Sequence, residues 1–131
     1  VTRPDGRGRQ GDDVTHRSYH DFVREREQLT ALTLEKANLE IKRFFSLDNQ
    51  TYREGELPAA TKELLGLVAS MVLRCDDCIF YHLGRCHEER VTDGQLQEAF
   101  SVALVVGGSI VIPHLRRAVR AWEELREGAD G

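Results

Sequence analysis

The stretch Glu63-Leu-Leu-Gly-Leu-Val-Ala-Ser-Met-Val-Leu-Arg-Cys75-Asp-Asp-Cys78-Ile-Phe-Tyr-His82 decides how this chain is read. Its first half carries Leu64, Leu65, Leu67, Val68, Met71 and Val72, which surround most of a helix circumference. An apolar surface that wide predicts a helix buried on several sides. Gly66, Ala69 and Ser70 are small and admit a close helix neighbour. The second half opens on a C-x-x-C pair, Cys75 and Cys78, with His82 four residues further on and the carboxylate Glu63 at the far end of the apolar run.

A C-x-x-C that opens a helix is a dithiol suited to reversible disulfide formation. Three residues make roughly one helical turn, so the two sulfurs face each other. The unpaired N–H groups of the helix start stabilise a thiolate. Asp76 and Asp77 act in the opposite sense, favouring the protonated thiol. His82 lies one turn beyond Cys78 on the same face, where it can take or return a proton. If the chain reverses at Arg74, Glu63 and Cys78 stand at levels that differ by roughly 9 Å of helix rise. Glu63 is therefore expected to act through His82, Cys75 or water rather than on Cys78 directly.

The rest of the chain reads as helical scaffold. Residues 1–17 are rich in Gly, Arg and Asp and are read as a mobile arm, followed by one domain over 18–131. Ser18 with Asp21 marks a helix start, and the helix runs to about Lys36 with Tyr19, Phe22, Val23, Leu29 and Leu32 inward. Asn38 restarts a shorter helix carrying Leu39, Ile41, Phe44, Phe45 and Leu47. Pro58 suits a first helical position. The helix after Arg74 extends from Cys75 to about Glu89. Thr92 and Gln95 form a capping box before Leu96, Ala99, Phe100, Ala103 and Leu104, and Gly107-Gly108 ends that helix. A last helix has Pro113 near its start, Leu115, Ala118, Val119, Trp122 and Leu125 on one face, and Gly128 at its close. No convincing strand appears. The expected architecture is an all-α bundle of about six helices.

Composition narrows the class. The chain has 131 residues, 40% hydrophobic and 31% charged, which fits one globular domain. The formal charge of -4 argues against a nucleic-acid footprint. No apolar run approaches the ~18–20 residues that span a bilayer, so no membrane partner is expected. No secretory signal is visible, and the expected location is the cytoplasm. Three cysteines without an export signal point to redox or metal chemistry rather than a structural disulfide.

Glu63, eleven intervening residues, Cys75-x-x-Cys78 and then His82 together match E-x(11)-C-x-x-C-x-x-x-H. In this the chain resembles the alkylhydroperoxidase D-like branch of the carboxymuconolactone decarboxylase family, from about Leu57 to Leu125. The resemblance implies an all-helical subunit assembled as a trimer or a hexamer of paired trimers. It implies thiol–disulfide exchange, sometimes coupled to hydroperoxide reduction, without a cofactor. By the same resemblance Cys78 is the nucleophile, Cys75 the resolving thiol, and Glu63 and His82 the proton shuttle. The substrates implied are a small hydroperoxide or a disulfide, with a thiol protein or small thiol as reductant. The best-known members carry a histidine just before the second cysteine, where this chain has Asp77. That departure removes a relay partner from peroxidase turnover; dithiol exchange does not need it. The decarboxylase branch generally lacks the C-x-x-C, so lactone decarboxylation is disfavoured.

Competing readings attach to the same residues. Cys75, Cys78, His82 and Cys86 suggest zinc, but one helix spreads them over roughly 16 Å while zinc ligands lie ~2.0–2.3 Å from the metal. Three of them with Glu63 remain a minor alternative, as does a non-catalytic helical oligomer with a vestigial dithiol. Cys86 reads as a bystander thiol, His87 as part of a solvated face with Glu88, Glu89 and Arg90, and His114 as a structural or interface residue. Arg116, Arg117 and Arg120 read as a charged outer face or a subunit contact.

Overall fold

A computed structural model describes residues 17–130; the arm expected over residues 1–17 therefore falls, apart from Arg17, outside the described residues. Six α-helices follow in order among the described residues: α1 Tyr19–Lys36, α2 Leu39–Thr51, α3 Ala59–Val72, α4 Asp76–Glu88, α5 Asp93–Gly107 and α6 Ile112–Asp130, with a 3-10 turn at Ser109–Val111 before α6. The fold is all-α, as the apolar periodicity predicts.

Local chemistry sets the helix starts. The Ser18 hydroxyl accepts the Asp21 N–H at 3.0 Å, and the Asn38 side chain accepts the Ile41 N–H at 3.0 Å. Thr92 and Gln95 exchange both bonds of a capping box, at 3.0 and 3.1 Å. Pro58 stands one residue earlier than expected, as the cap of α3. Gly108, at φ 85°, takes the left-handed backbone that ends α5. Gly128 does not close α6, which runs on to Asp130; a glycine inside a helix weakens it but does not stop it without a reversing chain beyond.

The link between α3 and α4 delivers the dithiol. Arg74 has φ 61°, its N–H donates to the Met71 carbonyl at 3.0 Å, and the Cys75 N–H donates to the Ser70 carbonyl at 3.0 Å. This is a Schellman closure with arginine in the usual glycine place. The residue that completes it, Cys75, is at once the N-cap of α4. The chain thus passes from one helix into the next with the first cysteine fixed in the corner.

Helices α3 to α6 form the core, and α1 leans on α4 and α6. Leu67 and Met71 of α3, Ile79, Phe80 and Leu83 of α4, Leu96 of α5 and Ala118 of α6 are closed from solvent. Phe22 of α1 meets Phe80 edge to face at 5.5 Å. Two expectations of burial do not hold within one chain. Leu29 and Leu32 are 54% and 50% exposed, and no residue of α2 is fully buried. Among the described residues nothing buries the apolar faces of α1's second half and of α2. His87, expected on a solvated face, is partly buried, its ring edge-on to Trp122 at 5.8 Å.

Candidate functional site

Cys75 and Cys78 are joined as a disulfide with Cα atoms 5.3 Å apart. The two sulfurs sit in different surroundings. Cys75 is half-buried in the corner, and its Sγ accepts the Cys78 N–H at 3.2 Å in place of a capping oxygen. Cys78 is exposed in the first turn of α4. The helix start therefore favours negative charge on Cys75, while access favours attack at Cys78.

His82 is one turn deeper along α4, and that extra turn brings it level with Glu63 on α3. His82 Nδ1 lies 2.8 Å from Glu63 Oε1, with Glu63 0% and His82 7% exposed. A buried carboxylate facing an imidazole nitrogen fixes the ring's orientation and places the proton on Nδ1. That leaves Nε2 as the ring nitrogen with an open lone pair. The His82 ring is held between Tyr52 and Tyr81, both at 5.2 Å between centroids. Burial first, and then neighbouring carboxylates including Glu63, push both phenols above their ordinary range, so they stay neutral. Gly66 provides the room. A Cβ at that position would stand 2.6 Å from His82 Cε1 and 2.7 Å from Nε2.

Cys78 and His82 open together into a cleft of about 390 Å³ between α1 and α4. Its walls mix Phe22 and Leu29 with Thr30, Thr33, Glu25, Arg26, Asp48 and Asp77. Arg26 lies over the Tyr81 ring at 4.3 Å. Glu63 also borders a second, smaller cleft, about 250 Å³, with Asn49, Tyr52, Arg53, Tyr81 and Arg85. Its Oε2 accepts no hydrogen bond from the described residues, and Arg85 Nε stands 3.6 Å away. The carboxylate thus faces the histidine with one oxygen and a polar cleft with the other.

Of the residues singled out from sequence, Glu63, His82, Cys75 and Cys78 come together. Glu63 meets His82, the contact that helix rise allows, and His82 shares a cleft with Cys78. Cys86 is apart from the cleft and fully buried; burial, reinforced by the Glu63 charge, pushes its thiol up to about 12. Among the described residues no group of three His, Cys, Asp or Glu side chains is arranged to hold a metal ion. Sequence reading missed Tyr52, Tyr81 and Gly66 around His82. Gly66 carried a signal, its small size one turn from Glu63, but it was assigned to helix contact rather than to the ring. The reading also missed that His114 and Arg117 reach Asp76, a contact between residues 38 and 41 positions apart.

These features define a class: a helical domain with a solvent-facing dithiol backed by a buried histidine–carboxylate pair. The sequence profile of the Carboxymuconolactone decarboxylase family matches residues 41–124, and the chain belongs to that family. A Thermotoga maritima protein of known crystal structure is 59% identical, with a TM-score of 0.81 over 83% of this chain and 96% of that one. A second crystal structure of the same protein, described there as a carboxymuconolactone decarboxylase family protein for which a role in an antioxidative response has been suggested, gives 58% identity and a TM-score of 0.80 over 83% of this chain and 92% of that one. A Legionella pneumophila family member at 23% identity shares the fold, with a TM-score of 0.76 over 81% of this chain and 95% of that one. An uncharacterised protein of Cupriavidus necator is 30% identical over 73 residues, which is 56% of this chain and 65% of the relative's own length. The match thus spans less than two thirds of that relative.

Proposed function

We propose that the protein is a thiol–disulfide oxidoreductase that also reduces small hydroperoxides. The observation that carries this reading is the placement of exposed Cys78 and buried His82 on one cleft, with Glu63 behind the histidine. The antioxidative role suggested for the Thermotoga maritima relative supports the peroxide arm.

In the exchange arm an external thiolate attacks Cys78 Sγ, the exposed sulfur. The Cys75–Cys78 bond breaks and the electron pair leaves on Cys75, where the Cys78 N–H receives it. A second external thiol then attacks the mixed disulfide at its external sulfur. Cys78 is released as the thiolate, and the external pair departs as its own disulfide. Protonation of the released thiolates passes through His82, with Glu63 holding the imidazolium. In the peroxide arm the Cys78 thiolate attacks the terminal oxygen of ROOH. The O–O bond breaks, ROH leaves with a proton from His82, and Cys78 becomes a sulfenic acid. The Cys75 thiol displaces water from it and restores the disulfide. The sum is ROOH plus two external thiols giving ROH, water and one external disulfide.

Asp77 in place of the histidine of well-known relatives makes His82 the relay for both arms. The reductant is a thiol protein or small thiol that fits the mixed apolar and polar wall of the cleft. We further infer a homo-oligomer, a trimer or hexamer. Support comes from apolar side chains left in solvent at the end of α3 and on α5, Leu73 at 76% and Val106 at 66% exposed, which line a groove of about 480 Å³. A cytoplasmic location is part of the same reading; among the described residues no helix is long and apolar enough to cross a membrane.

The test is dithiol-dependent reduction of tert-butyl hydroperoxide and of a small aromatic disulfide. Turnover of the disulfide that disappears in Cys78→Ser is expected. A wild-type protein inert to both substrates sinks the reading; turnover of the disulfide alone removes the peroxide arm.

A further inference from the structure

Two carboxylates stand between the cysteines, and the fold opposes both with cations. Asp76, the first residue of α4, is gripped from α6. His114 Nδ1 lies 2.7 Å from Asp76 Oδ1, and Arg117 Nε donates to Asp76 Oδ2 at 2.9 Å. Arg117 Nη2 is also 3.2 Å from His114 Nδ1, and the shorter contact directs the Nδ1 proton to the carboxylate. The Asp76 and Arg117 side chains are 24% and 20% exposed, so solvent and salt screen this cluster little. Asp77 is 67% exposed and meets Arg17, which is 13% exposed, and solvent at the carboxylate weakens that pair.

The position of Asp76 gives the cluster a consequence. It follows Cys75 directly, and Cys75 Sγ is the sulfur that takes up a helix-start N–H. The N–H favours a thiolate there. A bare neighbouring carboxylate disfavours it, since like charges repel and raise a thiol's pKa. A carboxylate neutralised by a guanidinium exerts little of that repulsion. The lower the pKa of a leaving thiol, the faster it leaves in exchange.

We propose that Arg117, assisted by His114, is a positioning residue of the dithiol: it neutralises Asp76 and so keeps Cys75 competent as the leaving thiolate when an external thiol attacks Cys78. The inference rests on the exchange reading for its use, but the charge relationship stands by itself. Arg117 touches neither sulfur in this scheme. It acts by offsetting the Asp76 charge, so deleting both restores the net charge beside Cys75, while deleting the carboxylate alone leaves an uncompensated cation there.

That cancellation is the test. The reduced protein is titrated by peptide-resolved alkylation with iodoacetamide across pH, and the first apparent pKa of the pair is read. The other charged groups near the pair, Arg17, Glu25, Arg26, Asp48, Arg74, Asp77 and His82, are the same in every variant. Arg117→Gln is expected to raise that pKa and slow alkylation at neutral pH several-fold. The double variant Asp76→Asn with Arg117→Gln is expected to return both to near wild type. Asp76→Asn alone, which keeps the side chain's shape, is expected to lower the pKa and serves if Arg117→Gln does not fold. An unchanged pKa in Arg117→Gln, a double variant that stays like it, or an unchanged pKa in Asp76→Asn overturns the proposal. Because alkylation needs no turnover, a shifted pKa in a protein that turns over neither substrate counts against the exchange function and not against the clasp.

Discussion

His82 Nδ1 meets Glu63 Oε1 at 2.8 Å across the contact between α3 and α4, with the carboxylate wholly out of solvent. A buried carboxylate is retained at such a site against a desolvation cost of several kcal/mol. Here the histidine supplies part of the compensation, and its ring shares a cleft with Cys78.

Glu63→Gln should therefore damage turnover more than structure. The amide keeps the size and a hydrogen-bond acceptor but cannot stabilise an imidazolium. Positioned acid–base groups contribute about 10²–10⁴-fold, and a drop in disulfide turnover toward the lower end of that range is expected. Circular dichroism should be unchanged, and the Cys75–Cys78 disulfide should still form with an added oxidant. Turnover within a factor of two of wild type would remove Glu63 from the relay.

Gly66→Ala tests the space rather than the charge. The new methyl would press on the His82 ring, which Glu63, Tyr52 and Tyr81 hold on its other sides. Overpacking of this kind costs about 1–3 kcal/mol, seen as a lower melting temperature. Activity should fall with it, because the ring that moves is the one that handles the proton. A fully active Gly66→Ala protein would show that the ring can yield without consequence.

Cys86 makes a prediction about alkaline stability. Its thiol goes from an ordinary value of 9.0 to about 12 in the folded chain, chiefly through burial. Above pH 9 the unfolded thiol releases its proton while the folded one keeps it, so the unfolded state gains. The stability contributed is whole below pH 9 and is lost progressively toward pH 12, at up to about 1.4 kcal/mol per pH unit. Tyr19, Tyr52 and Tyr81, also raised by burial, act in the same direction. Comparison with Cys86→Ala isolates the cysteine: the variant should be less stable at neutral pH and should decline less steeply above pH 9. Parallel declines in urea unfolding would contradict the assignment.

The exposed apolar residues of α3 and α5 lead to a fourth expectation. Val106→Glu and Leu73→Glu place charges on the groove wall at two side chains that are exposed and outside the core. Sedimentation velocity should show an oligomer for wild type and a smaller species for the double variant. A wild-type monomer at micromolar concentration would refute the assembly.

The fold was legible because its signals are local. Ser18, Asn38, Thr92 with Gln95, and Gly108 mark helix ends through bonds to neighbours a few residues away. The pairing of Glu63 with His82 was approachable because the two flank one tight turn and helix rise limits their levels. The burial of Leu29 and Leu32 was misjudged, since periodicity says that a face is apolar but not which chain covers it. His114 and Arg117 could not be tied to Asp76 from sequence, because that contact depends on how α6 crosses the start of α4. Tyr52 reaches His82 for a similar reason: the loop after α2 returns to α4, and nothing local announces it.

The most direct test of the central claim is a thiol count on denatured protein before and after one equivalent of tert-butyl hydroperoxide. The chain has three cysteines. The reduced protein should show three thiols and the treated protein one, the buried Cys86, while Cys78→Ser should keep both of its thiols. Three thiols surviving in the wild type, or losses that do not depend on Cys78, would contradict the peroxide reaction proposed for this site.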